Sequence, residues 1–267
     1  MRHRFIIAFV FLTAFCFSVH AQVVVTLDYY FNHEVRKNAA GQQERFHYLW
    51  EDTTNTGFSV LGDAFKKQGA VLNSLNKAPT LAGLEGTGIY IIVDPDSKKE
   101  SPQPNYIASR DIVEIEKWVK AGGVLMLLAN DSANVELPHF NRLAIRFGMR
   151  FNNDMQNHVI DDSHFEDGAV VTTGNPIFPS AQKIFMKDVC SIAIRGNVEP
   201  GLINKGAVII TTAKIGRGFV FAVGDPWLYN EYTNGRLPAG FENDKAATDV
   251  AKYLMQQVNQ HNQEIHE

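Results

Sequence analysis

Two apolar runs set the terms for the fold. Ile89-Tyr90-Ile91-Ile92-Val93 and Val124-Leu125-Met126-Leu127-Leu128 carry no polar group beyond one phenol. A strand with one wet face alternates apolar and polar residues. An unbroken run is buried on both faces, as in a parallel sheet covered by helices. Each run stops at short acids and amides: Asp94-Pro95-Asp96 after the first, Asn130-Asp131-Ser132 after the second.

The flanking pattern completes this reading. Val23 to Leu27 is a β-rich run ending at Asp28. Phe58, Leu61, Ala64 and Phe65 have helical spacing within 57–67, and Gly69 stops that helix. Ala70 to Leu75 is a short strand. Ser109 is read as the cap of a helix reaching Lys120, with Asp111 in its first turn and Lys117 and Lys120 in its last. Phe140 to Phe147 reads as a helix closed by Gly148. The segment 149–200 reads as an insertion of short strands and loops. After it, 207–212 and 219–223 form a hairpin around Gly216-Arg217-Gly218, and Asp244 to Val258 forms a last helix. The expected fold is α/β: a flavodoxin-like open, mostly parallel sheet with helices on both faces and an irregular β-containing insertion. Residues 22–260 are read as one such domain.

The first residues are read apart from the fold. Arg2 and Arg4 precede an apolar run, Phe5 to Phe17, and Val19-His20-Ala21 fits a cleavage site. Residues 1–21 are therefore expected to be a secretory signal peptide, too short for a membrane span. Cleavage would move the net charge from −4 to −6 and leave Cys190 as the lone thiol, in an alternating stretch that favours burial. The expected location is periplasmic or secreted, with no membrane contact afterwards. An acidic balance also argues against nucleic acid as a partner.

Ligands of open α/β sheets bind outside the carboxyl ends of the strands. Four ends carry candidates. After Asp28 come Tyr29, Tyr30, Asn32, His33 and Glu34. Asp94 and Asp96 follow the second run, and Asn130, Asp131 and Ser132 the third. Asp225 is followed by Trp227, Tyr229, Asn230 and Glu231. Trp50 and Glu51 precede the first helix. Acids beside aromatic rings suit a sugar, the acids accepting hydroxyl hydrogen bonds and the rings stacking on C–H faces. Glu34, Asp225 and Glu231 are the candidate catalytic carboxyls, since a pair of carboxyls can serve as general acid and base. His33, Trp50, Glu51, Asp94, Asp96, Asn130, Asp131, Trp227, Tyr229 and Asn230 are candidate ligand contacts. His33 and His47 flank a polar loop. Asp94-Pro95-Asp96 and Asn130-Asp131-Ser132 read equally well as turn and cap residues. Asp94, Asp96 and Asp225 would offer oxygen to a hard cation, but no calcium-loop spacing is present, so neither metal nor cofactor is expected. No phosphate-binding glycine motif or HExxH occurs.

Five blocks carry a family resemblance: LDYYFNHE (27–34), YLWEDTTNTGFS (48–59), YIIVDPD (90–96), WVKAGGVLMLLANDS (118–132) and GRGFVFAVGDPWLYNEY (216–232). In that order they resemble an uncharacterised branch of the class I glutamine-amidotransferase-like domains. Such domains occur at the C-terminus of bacterial unsaturated rhamnogalacturonyl hydrolases, especially from Bacteroidetes. The resemblance implies a flavodoxin-like fold and a setting in pectin breakdown, with a polysaccharide-degrading enzyme as a possible partner. Amidotransferase chemistry does not carry over: the turn after Leu128 reads Ala129-Asn130-Asp131-Ser132, without the nucleophilic Cys. The α/α-barrel that performs the unsaturated glycuronyl hydrolysis is not part of the resemblance. Three readings stay open: a domain binding uronate-containing oligosaccharides, a hydrolase of them using rim carboxyls, and a non-catalytic interaction module. Arg36, Arg236, Lys98 and Lys99 are the cations expected to meet a uronate.

Overall fold

The computed structural model describes residues 22–131 and 133–264, with side-chain surroundings through residue 260. The expected leader and Ser132 lie outside the described residues. Seven strands form the main sheet: β1 (Val24–Asp28), β2 (Val71–Leu75), β3 (Thr87–Val93), β4 (Val124–Leu128), β5 (Glu199–Asn204), β6 (Ala207–Ile215) and β7 (Gly218–Val223). Their spatial order is β5-β6-β7-β4-β3-β1-β2. Strands β2, β1, β3, β4 and β7 run parallel, while β6 is antiparallel to both β7 and β5. The fold is the expected flavodoxin-like α/β sheet.

The helices are α1 (Ser59–Lys67), α2 (Ser109–Lys120), α3 (Leu137–Ala144), α4 (Asn230–Thr233) and α5 (Asn243–Glu264). Strand alternation divides the core in two. Ile89, Ile91 and Val93 join Met126, Leu128, Phe221 and Val223 beneath α1 and α5. Tyr90 and Ile92 join Leu125, Leu127, Val220 and Ala222 beneath α2 and α3. This two-sided burial is why β3 and β4 are continuously apolar.

Several boundaries differ from the pattern reading. α2 begins at Ser109, but Ser109 is not the cap: the Asp111 carboxylate accepts from Ala108 N, and Ser109 Oγ accepts from Arg142. α3 starts at Leu137 because Glu136 accepts from His139 N and Pro138 suits the first turn. A one-turn 3-10 segment, Ile145–Phe147, then leads to Gly148, whose φ of 80° ends the run. Strand β5 is too interrupted by Pro200 and Gly201 to be read from sequence, yet pairs along β6. Three small antiparallel pairs flank the sheet: Val35–Lys37 with Gln43–Arg45, which the pattern does not show, and, within the expected insertion of short strands, Met149–Phe151 with Ile192–Ile194 and Ala169–Val171 with Lys183–Phe185.

Cys190 is buried beneath the end of β7, its thiol donating to Gly224 O at 3.3 Å. Gly224 approaches so closely that a Cβ there would stand 1.8 Å from Cys190 O. Gly224→Ala is expected to lower stability by about 1–3 kcal/mol, as overpacking does. Chemical denaturation checks this, and an unchanged midpoint would refute the close packing.

Candidate functional site

The order β2-β1-β3-β4-β7 places a topological switch point between β1 and β3, where connections leave to opposite faces. Ligands of doubly wound sheets bind in the crevice this opens at the carboxyl edge. A cavity of about 320 Å³ lies here, lined by Glu34, His47, Tyr48, Thr56, Asp94, Glu100, Asn130, Asn134, Tyr229 and Glu231. That is at the small end of ligand pockets.

Asp94 is its central group. It follows β3 directly, with a φ of 42°. Tyr48 OH donates to its Oδ2 at 2.8 Å, and Asn130 Nδ2 does so at 3.1 Å. Its Oδ1 is buried without a hydrogen-bond partner among the described residues. Burial, with repulsion from Glu100 and Glu34, raises its pKa to about 7 against the two donated hydrogen bonds. His47 and Tyr48 also have positive φ, 66° and 51°. Six non-glycine residues do so among the described residues, and three of them line this one cavity. Such conformations cost about 1–3 kcal/mol each and concentrate at functional sites. Here they turn the Tyr48 hydroxyl toward Asp94.

The remaining wall is polar and acidic. His47 Nδ1 lies 2.5 Å from Glu34 Oε1. Glu100 accepts from Ser97 N, and burial raises its pKa. Thr56 donates to Asp52, and Asn134 to Asp131. Tyr229 packs edge-on to Tyr48, ring centroids 6.0 Å apart. Glu231 is paired with Arg236, which also reaches Asp162. Among the described residues no Lys or Arg lines the cavity.

The structure thus brings together Glu34, Asp94, Asn130, Tyr229 and Glu231 of the expected residues. The others fall elsewhere, for identifiable reasons. Trp227 is wholly buried, packed against Phe178 in the core under α5, because its segment turns inward after Pro226. Trp50 is core as well, its indole N–H donating to Asn73 O. Asn230 is a structural tie: its Nδ2 lies within 3.0 Å of Asp52 O, Thr54 O and Ser59 Oγ, while Oδ1 accepts from Val60 N at the start of α1. Glu51 is exposed and accepts from Tyr29 OH. His33 is exposed, with its ring Nδ1 3.0 Å from Tyr29 O. Asp131 holds its own turn through Ala133 N and Asn134. Asp28 does the same through Tyr30 N, Phe31 N and Tyr90 OH.

Asp96 and Asp225 are buried and outside the lining. Asp96 accepts from His33 N, and its other oxygen has no partner among the described residues. Burial lifts its pKa to about 8, with Glu34, Glu100 and Asp94 adding to the rise. Burial also pushes the Asp225 carboxyl well up, helped by Asp188 and Asp94. Asp225, one of the candidate catalytic carboxyls, stands outside the lining, and Asp94 lies within it. Of the expected uronate cations, Arg36 is committed to Glu44, Arg236 is held at the rim by the lining Glu231, and Lys98 and Lys99 are exposed, Lys99 donating to Ala133 O.

Five lining residues are not among the expected contacts: His47, Tyr48, Thr56, Glu100 and Asn134. Tyr48 and Thr56 fall inside the 48–59 block but are not singled out there by any spacing, while Glu100 and Asn134 lie in turns with no motif spacing, so only their placement identifies them. His47 is marked in the sequence only as the flank of a polar loop.

No family model matches the chain, and no curated protein matches it. Solved structures do. The N-terminal domain of mmIFT52 is 15% identical with a TM-score of 0.62, over 87% of this chain and 97% of that one. Cytoplasmic protein STM1381 from Salmonella typhimurium LT2 is 12% identical with a TM-score of 0.58, over 88% and 99%. A Thermoplasma acidophilum protein assigned to GMP synthase is 8% identical with a TM-score of 0.51, over 93% and 100%. At these identities the likeness is one of fold.

Proposed function

We propose that the cavity at the switch point binds the hydroxyl-rich part of a carbohydrate, in an exported protein of glycan breakdown related to the class I glutamine-amidotransferase-like branch. The observation that carries this reading is the convergence of three left-handed residues, His47, Tyr48 and Asp94, around a buried carboxyl oxygen without a partner. Sugar hydroxyls would donate to the carboxyls and accept from Asn130 and Asn134, and the tyrosines would flank the ring. The five blocks that carry the family resemblance supply seven of the ten lining residues: Glu34, Tyr48, Thr56, Asp94, Asn130, Tyr229 and Glu231. A uronate carboxylate would meet Glu34, Asp94, Glu100 and Glu231 with no Lys or Arg among the lining residues, so neutral sugars fit better. Glutamine amidotransfer has no support: Asn130 stands at the turn after β4, and Cys190 is sealed in the core.

One observation favours a hydrolase as the second reading. Asp94, poised at about 7, is suited to give a proton near neutral pH.

A panel of neutral and galacturonate-containing pectic fragments tests both readings by thermal shift and product release. Neutral fragments should stabilise the protein, by about 2.7 kcal/mol at a hundredfold excess over Kd. Galacturonate alone should do less. No stabilisation by any fragment would remove pectic sugars as the ligand. Product formation lost in Asp94→Asn would make the site catalytic.

A further inference from the structure

The cavity has more negative groups than a neutral ligand needs. Glu34, Asp94, Glu100 and Glu231 all line it, and among the described residues only Glu231 has an Arg partner, Arg236. The first three repel one another: Glu100 and Glu34 both act on Asp94, and Glu34 acts on Glu100. Asp94 is 5% exposed, lines the cavity, and keeps Oδ1 without a partner. Oδ1 is closed to solvent and lacks a donor, and the carboxyls around Asp94 favour a ligand group that brings positive charge to this wall.

The charged and titratable groups around Asp94 are few. Glu34, His47 and Tyr48 come from the segment after β1, with Asp96 and Glu100 after β3. Asp225, Tyr229 and Glu231, the last paired with Arg236, follow β7. His47 is held by Glu34. Arg45 faces the other way, donating to Tyr29 O and Asn32 O. Among the described residues no three or more metal-ligating side chains are grouped to hold a metal ion. An ammonium needs no such cage, because it carries three N–H donors and one charge.

We propose that the ligand carries a protonated primary amine, as an amino sugar does, and that this amine is received by Asp94 with Glu34 and Glu100 around it. The inference rests on the carbohydrate reading of the same cavity. It makes the site selective by charge: the amine is attracted, an N-acetyl group loses that attraction, and a uronate is repelled. Since Asp94 has to lose its proton to hold the amine, binding is coupled to proton release and strengthens from pH 5.5 to pH 7.5.

Calorimetry on the folded protein tests this with five probes: glucosamine disaccharide, its N-acetylated form, the corresponding glucose disaccharide, galacturonate, and ethanolamine as an amine without a sugar. The amino disaccharide is expected to bind at least tenfold more tightly than the acetylated or glucose forms. Asp94→Asn and, separately, Glu100→Gln should erase most of that preference, with circular dichroism showing that each variant folds. Equal binding of the amino, acetylated and glucose forms would overturn the amine inference and leave the carbohydrate reading standing. Binding of ethanolamine as tightly as the amino disaccharide would keep the amine and overturn the sugar. Binding of no probe would overturn the amine inference, and the pectic panel would then decide for pectic sugars alone. A preference unchanged in both variants would also overturn the assignment to Asp94.

Discussion

Trp227→Ala is expected to destabilise the protein by about 3–5 kcal/mol, the usual cost of removing a large buried aromatic ring. Trp227 has no exposed surface and packs on Phe178 within the core shared by α1 and α5. Its removal leaves a cavity that close-packed neighbours cannot fill. The indole N–H has no hydrogen-bond partner among the described residues, so none is lost with the side chain. Trp227→Phe should therefore cost much less. Urea denaturation followed by circular dichroism reads both. A loss below about 1 kcal/mol for the alanine variant would contradict the packing described. At temperatures where the variant stays folded, ligand affinity should match the parent, because Trp227 does not line the cavity.

Asp94→Asn is expected to change how stability depends on pH. Asp94 titrates at about 7 in the folded protein against 3.8 for the free carboxyl. A raised carboxyl favours the folded state most below the unfolded value, and that contribution is lost as pH rises through the folded one. The shift corresponds to a contribution on the order of 4 kcal/mol between pH 4 and pH 9. Asparagine cannot ionise, so the variant should have a shallower decline between about pH 4 and pH 7 and keep that gain over the parent at pH 9. Some decline remains from Asp96, raised to about 8. Unfolding free energies at pH 4, 6, 7.5 and 9 provide the check. Parallel curves for parent and variant would show that Asp94 titrates normally.

The two predictions separate residues that look alike in the sequence. Trp227 and Tyr229 sit two positions apart in one aromatic segment, and both suit a sugar-stacking surface. One is sealed in the core and the other lines the cavity. The acids divide in the same way. Asp94 and Asp96 flank one proline, yet Asp94 lines the cavity while Asp96 holds the backbone of His33. A turn changes side-chain direction residue by residue, so spacing alone does not say which way each carboxyl faces. Glu100 and Asn134 reach the cavity from loops with no periodicity to read.

The parallel core, and the carboxyl edge that carries the candidate cavity, were legible in the residues alone. Continuous apolar runs at 89–93 and 124–128 require two covered faces, and the polar residues that end them mark the carboxyl rim. These are local signals, each set by burial along a single strand. The strand order that opens the crevice between β1 and β3 is not local, and neither is the choice of rim side chains that enter it. Nor does any short stretch of chain reveal that His47, Tyr48 and Asp94 share one strained wall. That wall joins residues 47 and 94 in sequence, and only strand pairing and packing across the sheet bring such distant positions together.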